Sequence, residues 1–341
     1  MTSATTSRIT GVRPLWGVEG SWLTISGDGF SVDPPPEVKI GALPARVVAA
    51  SSRELRVTVP AALEGGRTPV RIESAPGETV FVEIGAPIAT GLHQVDSPVF
   101  DRTGNLFVTF SGSRGQEVPV SIYVVRPDGS REPFVSGLPN PTSMAFDPSG
   151  QLHVSSRFDG SVYRIDADGS ATQVATDLGV ACGIAFDADG VLFVGDRSGT
   201  IFRVDDSRAV MVATLPPSVA AFHLAFDAAG SLFVTGPTLG TRDSIYRVDP
   251  DGRVSVFHEG LGRPQGMAVD QAGRLYVADA LAGSGGLYRF GAGGGDPEVL
   301  LAAGGLVGLA FGPAGTMAVC SADTVYRLDA GIDGLLPFTR R

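Results

Sequence analysis

The chain predicts an all-β protein in which a small β-sandwich precedes a six-bladed β-propeller, and two observations carry that prediction. One segment recurs six times between residues 97 and 321. The stretch of about 85 residues ahead of it lacks the recurrence but holds about seven short alternating runs separated by turn residues.

The N-terminal stretch reads "ITGVRPLWGVEGSWLTISGDGF" and then "PEVKIGALPARVVAASSRELRVTVPAALEGGRTPVRIES". Runs such as Leu23-Thr24-Ile25-Ser26 alternate apolar and polar residues, the period of a strand with one face buried. Glycine and proline punctuate the runs, as turns of a small sandwich require. The division follows as residues 1–86 for the sandwich and 87–341 for the propeller.

The recurring segment is "SPVFDRTGNLFVT" at Ser97, "TSMAFDPSGQLHVSS" at Thr142, "CGIAFDADGVLFVGD" at Cys182, "HLAFDAAGSLFVTG" at His223, "QGMAVDQAGRLYVAD" at Gln265 and "VGLAFGPAGTMAVCS" at Val307. The anchors Phe100, Phe146, Phe186, Phe226, Val269 and Phe311 lie 46, 40, 40, 43 and 42 residues apart. Each copy runs on into a second pair of runs such as "VYRIDADG" or "IYRVDPDG", so a unit holds about four strands. A period near 40 residues with four strands per unit is the arithmetic of a propeller blade. It also accounts for Leu300 to Cys320, an uncharged stretch of membrane-spanning length whose five glycines and Pro313 oppose a helix.

The blade pattern "GIAFDADGVLFVGDRSGTIFRVD" resembles NHL-type and senescence-marker/gluconolactonase-type propellers over about residues 90 to 341. The first module resembles an IPT/TIG domain, an immunoglobulin-like sandwich, through Pro14, Gly20, Ile25-Ser26-Gly27, Gly29-Phe30, Val38 to Gly41 and Val59-Pro60. The lactonase resemblance implies a divalent metal at the central opening. It would be held by an acidic residue in an "ESPVW"-like start, an asparagine in "PNG" and an aspartate in "PDG". Asp96-Ser97-Pro98-Val99-Phe100 fits the first pattern, whereas the other places read Ala181-Cys182-Gly183 and Pro264-Gln265-Gly266. Asp96, Cys182 and Gln265 are therefore the metal-ligand candidates.

Composition bounds the function. The net charge is −10 and the pI about 4.9, and the propeller carries 27 Asp or Glu against 18 Arg or Lys. Such a surface repels a phosphate backbone, so neither nucleic acid nor a polybasic membrane contact is expected. Lys39 is the only lysine, which removes Schiff-base and P-loop chemistry from the propeller. Two distant cysteines, Cys182 and Cys320, form no disulfide framework, and the start has no apolar stretch followed by a cleavage site. A cytoplasmic protein is expected.

Strand alternation separates the loops into two faces. The Asp-x-x-Gly turns, including Asp187 to Gly190, fall on the lower face and read as turns rather than calcium loops. The upper face collects Arg114, Arg157, Asp159, Asp196, Arg197 and Asp279 from loops, and His223, Arg263 and Gln265 from segments leading into first strands. Arginines beside carboxylates there read either as inter-blade ties or as a pocket for an anionic or polyhydroxyl ligand, because guanidinium grips carboxylate and phosphate in bidentate fashion. His153 and His258 fall within strands and read as structural. The preferred function is a non-catalytic binding or interaction protein using the upper central face for such a ligand or for a protein. The alternative is a metal-dependent lactonase-type hydrolase.

Overall fold

The computed structural model describes residues 7–93, 97–113, 115–281 and 285–337. The described residues are strands joined by turns, with one short 3₁₀ turn at Pro313–Gly315. No helix among them is long and apolar enough to cross a membrane. The uncharged stretch from Leu300 is instead divided between the strands Gly294–Leu301, Gly308–Phe311 and Thr316–Cys320.

The first module is a sandwich built from Arg8–Arg13, Trp16–Gly17, Trp22–Asp28, Val38–Ile40, Leu43–Ala50, Glu54–Thr58, Gly66–Ile72 and Val80–Ile84. Trp22–Asp28 buries alternate residues, with Leu23 and Ile25 fully inside, which is the alternation legible in the sequence. Leu43–Ala50 passes between the layers: its start pairs with Val38–Ile40 and its remainder with Glu54–Thr58. Leu23, Ile25, Ile40, Leu55 and Val70 form a single core. Gly27 permits the close approach of the first strand, since a Cβ there would lie 2.0 Å from the Arg8 carbonyl oxygen.

Five four-stranded antiparallel sheets follow. Their innermost strands are Val99–Phe100, Pro141–Phe146, Ala181–Phe186, His223–Phe226 and Gly308–Phe311. The repeat predicts six blades, and here the structure differs: five separate four-stranded sheets are formed. The unit that starts at Pro264–Val269 continues, through its outermost strand Gly294–Leu301, into a twelve-stranded sheet shared with the sandwich. The cause is a parallel pairing of Trp16 with Leu301, while Trp16–Gly17 also pairs with Val80–Ile84. The inner strand of this unit packs between those of its two neighbours, and Val99–Phe100 packs against Gly308–Phe311.

Neighbouring units are wedged together by the anchor residues. Phe146 packs edge-on against Phe107, Phe186 against His153, Phe226 against Phe193 and Phe311 against Tyr276, with ring centroids 4.8–5.6 Å apart. Each such pair adds about 0.5–1.5 kcal/mol beyond the area it buries. His153 is thus a core ring, and burial holds its pKa below the usual histidine value. Hydroxyls in second strands reach the next unit: Thr235 Oγ1 donates to the Gln265 carbonyl (2.6 Å), and Ser155 Oγ donates to the Cys182 carbonyl.

The last unit is completed from the other end of the propeller sequence. Ala86–Ala89 pairs antiparallel with Val325–Asp329, matching Ala89 with Val325 and Ala86 with Arg327. Leu335 to Pro337, an apolar run near the C-terminus, do not take this role. Leu335 donates its amide to Val269 (2.8 Å), Gly334 bridges Asp270, and Leu335 to Pro337 turn beneath the inner strands.

Candidate functional site

A channel runs along the axis between the inner strands, with a cavity of about 180 Å³. Its wall is built from three or four successive residues of each inner strand or its approach, among them Val99, Met144, Ile184, Leu224, Met267 and Leu309. No charged side chain lines it among the described residues. The ends of the inner strands set its polarity. At their C-terminal ends Leu335, Leu336 and Pro337 form an apolar floor. At their N-terminal ends stand Ser97 and His223.

His223 is 4% exposed. Its Nδ1 lies 3.4 Å from Ser97 Oγ, and its Nε2 is buried without a hydrogen-bond partner. Burial alone lowers its pKa to about 4, with no carboxylate among the described lining residues to offset it. The imidazole is therefore neutral at pH 7. A buried unpartnered nitrogen costs free energy, about 1–3 kcal/mol.

Glycines set the approach of adjacent inner strands at this end. A Cβ on Gly183 would lie 2.4 Å from the Phe222 carbonyl oxygen, and one on Gly266 2.6 Å from the Gly308 Cα. These are the glycines of Ala181-Cys182-Gly183 and Pro264-Gln265-Gly266, so their backbone role is structural whatever their neighbours bind.

The upper-face aspartates spend their carboxylates on loop backbone. Asp279, 2% exposed, accepts the amides of Gly262 (2.8 Å), Arg263 (2.6 Å) and Leu281 (3.1 Å). Asp196, also buried, accepts the Val180 amide (2.7 Å) and the Ser198 hydroxyl. Both sit at the end of a second strand and clasp the segment leading into the first strand of their own unit. Asp159 is exposed and accepts the Tyr163 hydroxyl.

Arg197 and Arg157 both reach main-chain carbonyls. Arg197 donates from Nε to Ser218 (3.3 Å) and from Nη2 to Val219 (2.8 Å), both leading into the next unit. Arg157 reaches the Gly112 carbonyl at 3.5 Å across the preceding seam. Arg263 has an exposed side chain. Inter-blade ties therefore exist, made by arginine to main chain. Arg114 and Asp96 lie outside the described residues.

The implied metal finds no cage among the described candidates. Cys182 is 2% exposed and packs in the apolar cluster around Phe222, and neither it nor Gln265 lines the channel. No group of three His, Cys, Asp or Glu among the described residues converges on a point. One thiol and one amide are in any case a poor oxygen set for calcium or magnesium. The lower turns behave as turns: Asp187 Oδ1 accepts the amides of Asp189 (3.0 Å) and Val191 (2.9 Å), with Gly190 at φ +82°.

Sequence reasoning singled out His223 but not its neighbour Ser97 or the floor at Leu335 to Pro337. Asn140 is fully buried and links two units, donating to the carbonyls of Ser111 (2.7 Å) and Ser113 (2.9 Å) and accepting from Gly115 (2.6 Å). Its φ of +41° suits asparagine more than most residues.

Residues 7–80 match the family model of the IPT/TIG domain. No sequence among the curated proteins matches the chain. Among solved structures, a putative gluconolactonase superposes with a TM-score of 0.60 at 17% identity, covering 74% of this chain and 93% of that one. Regucalcin from Agrobacterium tumefaciens, a calcium-binding protein, gives 0.60 at 18% identity, covering 75% and 97%. An auxiliary nutrient binding protein from Bacteroides thetaiotaomicron gives 0.56 at 14% identity, covering 95% and 97%. Shared fold is what these identities carry: a propeller in all three, and in the third a likeness that extends over nearly the whole chain.

Proposed function

We propose that the protein is a non-catalytic binding protein whose ligand enters the upper mouth of the central channel, in a ring that counts the Pro264 unit as one of six blades. In this reading residues 1–86 form a sandwich that braces the ring, and residues 87–341 form the ring that binds. The observation that supports it most directly is a central channel whose described lining carries no charged side chain and includes the imidazole of His223 near one end. Concave sites that combine apolar walls with convergent polar groups are where small ligands bind. The upper arginines and aspartates act in this reading as braces that hold the mouth open.

The hydrolase alternative draws on the superposition with a putative gluconolactonase and on Asp96 in its "DSPVF" context. Glucono-δ-lactone hydrolysis, followed with the metal-stripped protein and after addition of calcium, manganese or zinc, separates the two. The binding reading expects no turnover above the uncatalysed rate with any metal. Metal-dependent turnover that is lost in Asp96→Asn would replace it with the hydrolase reading.

A further inference from the structure

We infer that the open face of the sandwich's first sheet is a docking surface for an extended acidic segment of a partner protein. This reading is independent of the channel. It rests on where the sandwich keeps its cations and where it keeps its acids.

The sheet runs in the order Arg8–Arg13, Trp22–Asp28, Glu54–Thr58, Leu43–Ala50. Leu23, Ile25, Leu55 and Val57 point into the core, so the residues alternating with them face outward. Register sets these in rows across the strands. One row reads Arg13, Thr24, Arg56, and the next reads Trp22, Thr58, Arg46. The three arginines are exposed, with the short side chains of Thr24 and Thr58 between them. The guanidinium of Arg56 lies over the Trp22 ring, 4.9 Å from its centroid. That contact orients the cation and leaves its N–H edge open to an anion.

Elsewhere in the sandwich acids answer the cations: Arg8 faces Glu78 at 4.0 Å and Lys39 faces Glu37 at 3.3 Å. Among the described residues no carboxylate pairs with Arg13, Arg46 or Arg56. The acids of this face stand farther along it, Glu54 opposite Ser26 and Asp28 opposite Arg8. The face is thus cationic at its Trp22 end and acidic at the other. Three clustered guanidinia without counter-charges repel one another and gain from a partner of opposite sign.

Spacing and surroundings define that partner. Arg13 and Arg56 stand two strands apart, about 10 Å, and Arg46 is diagonal to Arg56 at about 7–8 Å. An extended chain advances about 3.3 Å per residue, so carboxylates three and two residues apart match both spacings. Each carboxylate can grip a guanidinium in bidentate fashion. A long polyanion is disfavoured, because along the sheet it meets Glu54 and Asp28, and the chain as a whole carries a charge of −10. The screening length of about 8–10 Å is no greater than the width of the cationic rows, so a short segment gains the attraction without the repulsion.

The probe is a rhodamine-labelled peptide with three glutamates, the first two separated by two serines and the last two by one, titrated into the full-length protein at pH 7 and followed by anisotropy. It is expected to bind in about 50 mM salt and to weaken at least about fivefold in about 300 mM. The same peptide with glutamine for glutamate should not bind. Arg13→Thr with Arg46→Thr and Arg56→Thr should weaken the glutamate peptide by about tenfold or more. Arg71→Thr with Arg208→Thr and Arg253→Thr removes the same charge from exposed sites elsewhere and should change it by less than about twofold. Should the first triple variant not fold, Arg13→Thr with Arg46→Thr keeps the contact of Arg56 with Trp22 and should weaken the peptide at least about threefold. The inference is overturned if the peptide does not bind, if the two triple variants weaken it equally, or if an oligogalacturonate or a single-stranded oligonucleotide of equal charge binds this face more tightly than the peptide.

Discussion

His223 ties the stability of the fold to pH through a single ring. The unfolded imidazole takes up its proton near pH 6.5, whereas the folded one takes none until about pH 4. Between those values the unfolded state holds more protons, so stability falls as pH falls, by about 3 kcal/mol in total if the full shift is expressed. The contribution is fully present above pH 6.5. His153 and His258, whose pKa values burial also lowers, act in the same direction and persist when His223 is replaced. Urea denaturation of the wild type and His223→Phe at pH 7 and pH 4.5 should therefore show a smaller acid loss in the variant. Equal losses in the two would mean that the ring reaches water in the folded state. The upper loops make a second contrast among residues. Asp279→Ala strands three amides, that of Gly262 buried and those of Arg263 and Leu281 part-buried, and should cost about 3 kcal/mol, whereas Arg197→Ala removes a partly exposed contact to carbonyls and should cost under about 1 kcal/mol. Thermal melts of the two variants compare them directly, and an equal loss would give the arginine a structural weight that its exposure does not suggest.

Among the elements, Ala86–Ala89 joins the start of the propeller sequence to its end, and its register can be tested covalently. Ala86 lies opposite Arg327. Ala86→Cys with Arg327→Cys should oxidise to a cross-link closing a loop of some 240 residues, for which the chain-entropy relation gives about 5 kcal/mol as an upper value. Non-reducing electrophoresis and a melting temperature that rises only in the oxidised protein are the readouts. Failure to cross-link would place the strand elsewhere. That strand was legible in the sequence because "APIATGLHQVDSPVFD" aligns with the passage between outer and inner strands of a later unit. The inner strands were legible for a related reason: an anchor that must wedge against the preceding unit imposes its period on the chain. The floor was not. Leu335-Leu336-Pro337 is an apolar run too short to have a period, so it reads as an outer strand and nothing in it marks a floor. The upper aspartates misled in another way, because a carboxylate that clasps amides 16 or 17 residues away is spelled like one that binds a ligand. The absorption of one unit into the sandwich sheet was invisible too, since a two-residue strand such as Trp16–Gly17 carries no pattern.

At the scale of the whole molecule, the sandwich is bound into the ring rather than tethered to it. Gly85 alone separates the strands Val80–Ile84 and Ala86–Ala89, and a Cβ on it would meet Val18 and Tyr326 at 3.0 and 3.1 Å. Val18, 2% exposed, packs with Leu301, Tyr326 and Leu328 of the propeller, while the Trp22 amide donates to the Ala302 carbonyl at 3.0 Å. Unfolding the sandwich would expose this surface and the free edge of the Gly294–Leu301 strand, so the two bodies should melt together. The chain carries its own reporters. Both tryptophans, Trp16 and Trp22, lie in the sandwich, whereas most strand residues lie in the ring. Tryptophan fluorescence and far-ultraviolet circular dichroism should therefore give coincident transitions for the wild type. Val18→Asp places an unpaired carboxylate in the joint, where burial without a partner costs several kcal/mol unless the surfaces part. The fluorescence transition should then precede the dichroism transition as the sandwich melts free of the ring. Coincident curves in the variant, or separate ones in the wild type, would show that the joint does not couple the two bodies.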